Sequence, residues 1–138
     1  MFEITADYTQ GVAFRAKTRG HEIVSDQPLE GGGDDQGLTP PELLLASLAT
    51  CAGYYALQYL RTRSLPTDGL SVRVTAEKSR THPARLENFR IEVNAAVREE
   101  FRQGLLRSVD ACLIHKTLTD AARCPIEIVL CEPVTVEN

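Results

Sequence analysis

The sequence lacks the opening of an exported chain. Met1-Phe2-Glu3-Ile4 offers no basic region followed by an apolar one, so no secretory signal is read there and a cytoplasmic location is expected. In that compartment the four cysteines, Cys51, Cys112, Cys124 and Cys131, do not form a disulfide framework by default. Reactive thiols, metal ligands or plain buried cysteines are the uses to weigh. Positive charge is also scarce: 15 Lys and Arg stand against 19 Asp and Glu, a net charge of -4. That balance argues against nucleic acid and against an anionic membrane surface as partners. There is no internal repeat, and low complexity is confined to the Gly-rich stretch 26–38 with Gly31-Gly32-Gly33. This stretch has no Walker lysine and no preceding parallel strand, and Asp34-Asp35 would repel phosphate. It reads as a mobile loop. The last absence is charge between Leu43 and Leu60, a run of 18 residues. The run just reaches the length of a membrane span. It contains Ser47, Thr50, Cys51, Gly53 and Gln58 and is flanked by amphipathic strands, so it reads as a core helix, buried on nearly all sides.

The rest of the chain is organised around that helix. Thr39 caps it, Pro40 suits its first position, and Glu42 stands three residues after the cap to close a capping box. Arg61 and Arg63 follow the apolar run, and Ser64-Leu65-Pro66 ends it. Before it, alternation at Phe2–Tyr8, Val12–Lys17 and His21–Ser25 predicts a three-stranded antiparallel meander. After it, Leu70–Ala76 and Phe89–Val97 alternate as a hairpin. From Arg98 the period turns helical, with Phe101, Leu105, Val109 and Cys112 on one face and a possible break near Cys112. Ile126, Ile128 and Leu130 then alternate in a final strand ending near Val136. Three strands, a helix, two strands, helices and a strand make an α+β fold with antiparallel sheets. At 138 residues the chain reads as one domain, 1-138.

Two segments, Gly37-Leu38-Thr39-Pro40-Pro41-Glu42 through to Cys51 and Cys112-Leu113-Ile114-His115-Lys116-Thr117-Leu118, resemble the OsmC/Ohr family of osmotically inducible and organic hydroperoxide resistance proteins. The likeness extends along essentially the whole chain as one OsmC-like domain. It implies an intertwined homodimer, with antiparallel sheets wrapped around two central helices. It also implies a thiol-dependent peroxidase that reduces organic hydroperoxides through Cys51 as attacker and Cys112 as resolver at the subunit interface, with a dithiol reductant such as a lipoyl group and no cofactor. The chain departs from the better-studied peroxidases in three places. Leu113 and His115 replace a Cys-Pro-x-Ser pattern, as in the OsmC-like branch. Glu42 lies nine residues before Cys51 rather than ten, about 100° of helix rotation. The first turn, Thr9-Gln10-Gly11, holds no arginine, leaving Arg15 and Arg19 as nearby substitutes.

Each candidate also has a plainer reading. Cys51 can be a small buried core residue and Cys112 an apolar-face residue. Glu42 is explained by the capping box alone, or else it holds an arginine beside the thiol. Arg15 stands on the strand face opposite Val12, Phe14 and Ala16, where it would be a solvated charge. His115, one turn after Cys112, can lower a thiol pKa or act as a base. Cys112 and His115 begin a zinc-like spacing, but no second close ligand pair follows, so no metal is expected. Cys124 and Cys131 read as ordinary buried or edge thiols, and His21 and His82 as surface residues. Two other functions fit the same sequence: a non-catalytic protein binding a small apolar ligand, and a thiol redox sensor.

Overall fold

The computed structural model describes residues 1–131. Three strands, β1 (Thr5–Gln10), β2 (Ala13–Thr18) and β3 (His21–Ser25), form an antiparallel meander in that order. Thr18 pairs with His21, and the two residues between them, Arg19 and Gly20, both have positive φ, 49° and 81°. That is the turn whose twist matches the strands it joins. Tyr8 opposes Phe14, Ala6 opposes Ala16, and Ala16 opposes Ile23, so the predicted apolar face exists. It is open: Tyr8 is 63% exposed, and Phe14 and Ile23 are each 45% exposed. The first strand begins at Thr5 and not at Phe2, and Phe2 and Ile4 are exposed.

The connection 26–38 was expected to be mobile, yet it is knitted around one buried carboxylate. Asp26 accepts hydrogen bonds from the backbone amides of Gln27 (2.8 Å), Asp34 (3.1 Å) and Gln36 (3.1 Å). Its own amide donates to the Leu38 carbonyl at 3.3 Å, beside a parallel bridge between Ser25 and Leu38. The bond from Gln27, with those from Gln36 and Asp34, outweighs burial and holds the Asp26 carboxyl below its ordinary pKa. A side chain at Gly37 would overlap the Val24 carbonyl, so the close approach needs glycine there.

This loop delivers Thr39 to the start of α1 (Pro40–Thr62). The capping box is complete: the Thr39 amide donates to Glu42 Oε2 at 2.8 Å, and the Glu42 amide donates to Thr39 Oγ1 at 3.4 Å. A hairpin of β4 (Ser71–Lys78) and β5 (Leu86–Asn94) follows. Between the pairs Thr75–Arg90 and Glu77–Glu87, β5 carries one extra residue, and Asn88 takes the left-handed conformation there, φ 56°. Then come α2 (Glu99–Asp110) and α3 (Leu113–Thr119). Ala52, Ala56, Tyr59 and Leu60 of α1 pack on Leu105 and Val109 of α2, with Leu70, Val72, Ile91 and Val93 closing over them from the hairpin. The helix pair is locked by polar contacts as well. Tyr59 Oη donates to the Phe101 carbonyl at 3.0 Å, and Ser108 Oγ donates to the Tyr55 carbonyl at 3.2 Å. Gly104 lies directly under the Tyr59 ring.

Two expectations are corrected. α1 is buried on one side only: Leu48, Ala52, Ala56, Tyr59 and Leu60 are covered, while Tyr54 is 60% exposed. By length and composition this helix could cross a membrane, but its covered side packs on α2, α3 and β4. The expected final strand is not formed over 126–131, where Ile126, Ile128 and Leu130 are exposed and have no strand partner among the described residues. The remainder of that expected strand lies outside the described residues.

Candidate active site

Cys112 owes its place to the break between α2 and α3. The last turn of α2 tightens, with the Ala111 amide reaching the Ser108 carbonyl (3.2 Å) and the Cys112 amide reaching that of Val109 (3.0 Å). Cys112 then turns extended, φ -51° and ψ 131°, as the cap residue of α3. It makes no side-chain capping bond there, though the backbone amides of His115 and Ile114 at the start of α3 favour its charged form. Cys112 is 0% exposed. Its side-chain neighbour is the thiol of Cys51, which α1 presents from its middle, partly exposed. Both thiols are free. Burial, and then the neighbouring Cys51, push the Cys112 pKa up, while the amides of His115 and Ile114 pull against them. Cys112 therefore rests as a neutral thiol.

His115 follows one turn later. Its Nδ1 is buried without a hydrogen-bond partner, and Asp110 Oδ1 lies 3.5 Å away, at the edge of hydrogen-bonding range. Asp110 Oδ2 is held by Lys116 Nζ at 2.8 Å. Lys116, more than His115, lowers the Asp110 pKa. His115 also forms one wall of an apolar cavity of about 440 Å³, with Leu44, Leu48, Leu86, Phe89 and Leu118. Leu44 and Leu48 precede Cys51 by two turns and one turn of α1, so the cavity adjoins the thiol pair.

The other expected site residues lie elsewhere. Glu42 is exposed and engaged in its capping box, with no arginine partner among the described residues. Arg15 is exposed on β2, opposite Asp7 and Val24. The meander packs chiefly on itself, so within one chain neither Arg15 nor Arg19 belongs to the layer that holds the thiols. Cys124 and Cys131 are exposed, not buried. Sequence reasoning found His115 but not Asp110, whose only signal was its place in the last turn of α2, five residues before the histidine.

Comparison with known proteins agrees with this architecture. The family described as OsmC-like protein matches residues 32–135. No curated protein matches the chain by sequence. Among solved structures, an osmotic stress induced and detoxification response protein from Psychrobacter arcticus superposes with a TM-score of 0.73 at 21% identity, covering 85% of this chain and 88% of that one. An OsmC-like protein from Mycoplasma pneumoniae gives 0.73 at 22% identity, covering 89% and 90%. A putative organic hydroperoxide resistance protein from Vibrio cholerae, with captopril in one of its active sites, gives 0.64 at 15% identity, covering 87% and 85%. At these identities the structures speak for the fold. With three quarters of its length matched by the family, this protein belongs to the OsmC-like family.

Proposed function

We propose that the protein is a thiol-dependent peroxidase of the cytoplasm, one domain over 1-138, that reduces organic hydroperoxides to alcohols as an oxidative-stress defence. The observation that carries this reading is the meeting of Cys51 and Cys112. The Cys51 thiolate attacks the peroxide, the O–O bond breaks, the alcohol leaves and Cys51 becomes a sulfenic acid. Cys112 then attacks that sulfur, water leaves, and a disulfide closes before over-oxidation. A dithiol reductant such as a lipoyl group restores the pair. The cavity beside them suits the apolar part of an organic peroxide.

The reading includes a homodimer. One face of α1, where Thr50, Gly53, Tyr54 and Leu57 edge an open groove of about 420 Å³, and the apolar face of the meander both lie uncovered in the single chain. Burying both between two copies would give an intertwined assembly of the obligate size, roughly 2,000 Å² or more. A second copy would also bring a meander, with Arg15 and Arg19, toward the thiol pair. A guanidinium there would favour the Cys51 thiolate, and Glu42 would orient it.

Steady-state consumption of cumene hydroperoxide with dihydrolipoamide is the test. Sustained turnover that is lost in Cys51→Ser supports the enzyme. A single oxidation per site means a sensor. No oxidation leaves the cavity as the binding site of a non-catalytic protein, the reading that its volume favours next.

A further inference from the structure

The two thiols are unequal in a way that matters after the disulfide has formed. Cys51 is partly exposed, whereas Cys112 is fully buried at the α2–α3 break. The backbone amides of His115 and Ile114, at the start of α3, favour charge on the Cys112 sulfur. A thiol reductant must approach along the S–S axis, and which sulfur it attacks is set by access and by how well the other can leave.

We propose that the Cys51–Cys112 disulfide is opened at Cys51 only, so that the reductant is joined to Cys51 and Cys112 is the leaving sulfur. This deepens the peroxidase reading and rests on its thiol pair. A thiolate of the reductant attacks Cys51 Sγ, a new S–S bond forms to the reductant, and the Cys51–Cys112 bond breaks. The electron pair goes to Cys112, which departs as a thiolate. The backbone amides of His115 and Ile114 favour that charge, and a proton taken up from water then restores the buried neutral thiol. With a dithiol, its second sulfur, as thiolate, attacks the reductant sulfur of the mixed disulfide. Cys51 is released as a thiolate and the reductant leaves as a cyclic disulfide. The reductant's two thiol protons end as one on Cys112 and one on Cys51 or in solvent.

The polarity has a consequence for the partner. The reducing dithiol needs only to reach the mouth of Cys51, so a dithiol on a flexible arm suffices and no surface need open around Cys112.

The test uses the full chain carrying Cys124→Ser and Cys131→Ser, because both of these thiols are exposed. Diamide forms the disulfide without any peroxide, so the result does not depend on peroxidase activity. The oxidised protein is mixed with 2-mercaptoethanol, quenched in acid within seconds, alkylated and mapped by mass spectrometry. The expected result is the mercaptoethanol adduct on Cys51 and the alkyl label on Cys112, in at least tenfold excess over the reverse. An adduct on Cys112, or an even split, overturns the proposal. So does failure of diamide to link the two cysteines. Cumene hydroperoxide in place of diamide tests the peroxidase reading separately: no oxidation by peroxide with normal polarity after diamide would sink that reading and leave this one standing.

Discussion

The meander and the body built on α1 contain the same kind of apolar alternation, and they end differently. In the body, Leu60 and Ala56 are 0% exposed and the hairpin strands close over them. In the meander, Tyr8 and Phe14 meet edge to face at 5.8 Å and still face outward. Periodicity tells which residues share a face, but not what that face meets. Where the covering element follows in the same chain, the face closes. In the proposed dimer the covering element of the meander and of the outer side of α1 belongs to another copy, and the pattern stays open until assembly.

The sharpest way to break that contrast is truncation in both regions. Leu60→Ala should lower the free energy of unfolding by about 2–5 kcal/mol, because α1 and α2 cannot close the cavity left behind. Tyr8→Ser with Phe14→Ser should cost little secondary structure by circular dichroism. It should move sedimentation from dimer toward monomer at micromolar concentration. If the meander double variant remains dimeric, its open face is not an interface.

Two glycines on the two sides of the structure separate next. Gly104→Ala would push a methyl into the Tyr59 hydroxyl and should destabilise by about 1–3 kcal/mol in urea unfolding. At Gly53 the nearest neighbour of an added methyl is a Val72 methyl at 3.6 Å, ordinary contact. In the isolated chain Gly53→Ala should therefore be neutral, or stabilising by up to about 1 kcal/mol from helix propensity. In a dimer that uses the groove, it should weaken association instead. Equal effects of the two substitutions on unfolding would contradict the one-sided burial of α1.

The loop between the regions responds to pH. Asp26 has a folded-state pKa below its unfolded value, and its backbone bonds are the cause. Its contribution is fully present above the unfolded carboxylate pKa of about 3.9 and is lost as pH falls through the lower folded value. Asp26→Asn should reduce the urea midpoint at neutral pH and flatten its fall below about pH 4. An unchanged acid limb would remove Asp26 from the loop's support.

What was legible from the residues follows the range of the interactions. The capping box was readable because Thr39 and Glu42 act over three residues. The helix through Phe101, Leu105 and Val109 showed in its spacing, whereas the break near Cys112 leaves no mark in that period, since Cys112 falls on the same face. Asp26 was not readable, because its partners at 34 and 36 come from a fold of the loop that no local period encodes. The segment 126–131 alternates as well as any strand here, yet it has no strand partner among the described residues, because alternation does not supply an edge to pair with. The site divides the same way. The two cysteines could be nominated together through a family likeness. The association of His115 with Asp110, and the cavity beside them, depended on packing among α1, β5 and α3.

Glu42 gives the smallest and most discriminating effect. Glu42→Gln keeps much of the capping box and should cost no more than about 1 kcal/mol. If Glu42 also orients an arginine from a second copy, the variant should slow peroxide attack on Cys51 well before it alters melting. Unchanged rates in Glu42→Gln, Arg15→Ala and Arg19→Ala would reject activation by an arginine and turn attention to His115.

The most direct test of the account is the fate of Cys51 and Cys112 during turnover. Protein consuming cumene hydroperoxide with dihydrolipoamide should, when quenched and mapped, carry a Cys51–Cys112 disulfide. Cys112→Ser should halt with Cys51 as a sulfenic acid after one equivalent of peroxide. Sustained turnover in Cys51→Ser, or peroxide consumption with no disulfide between these two residues, would contradict it.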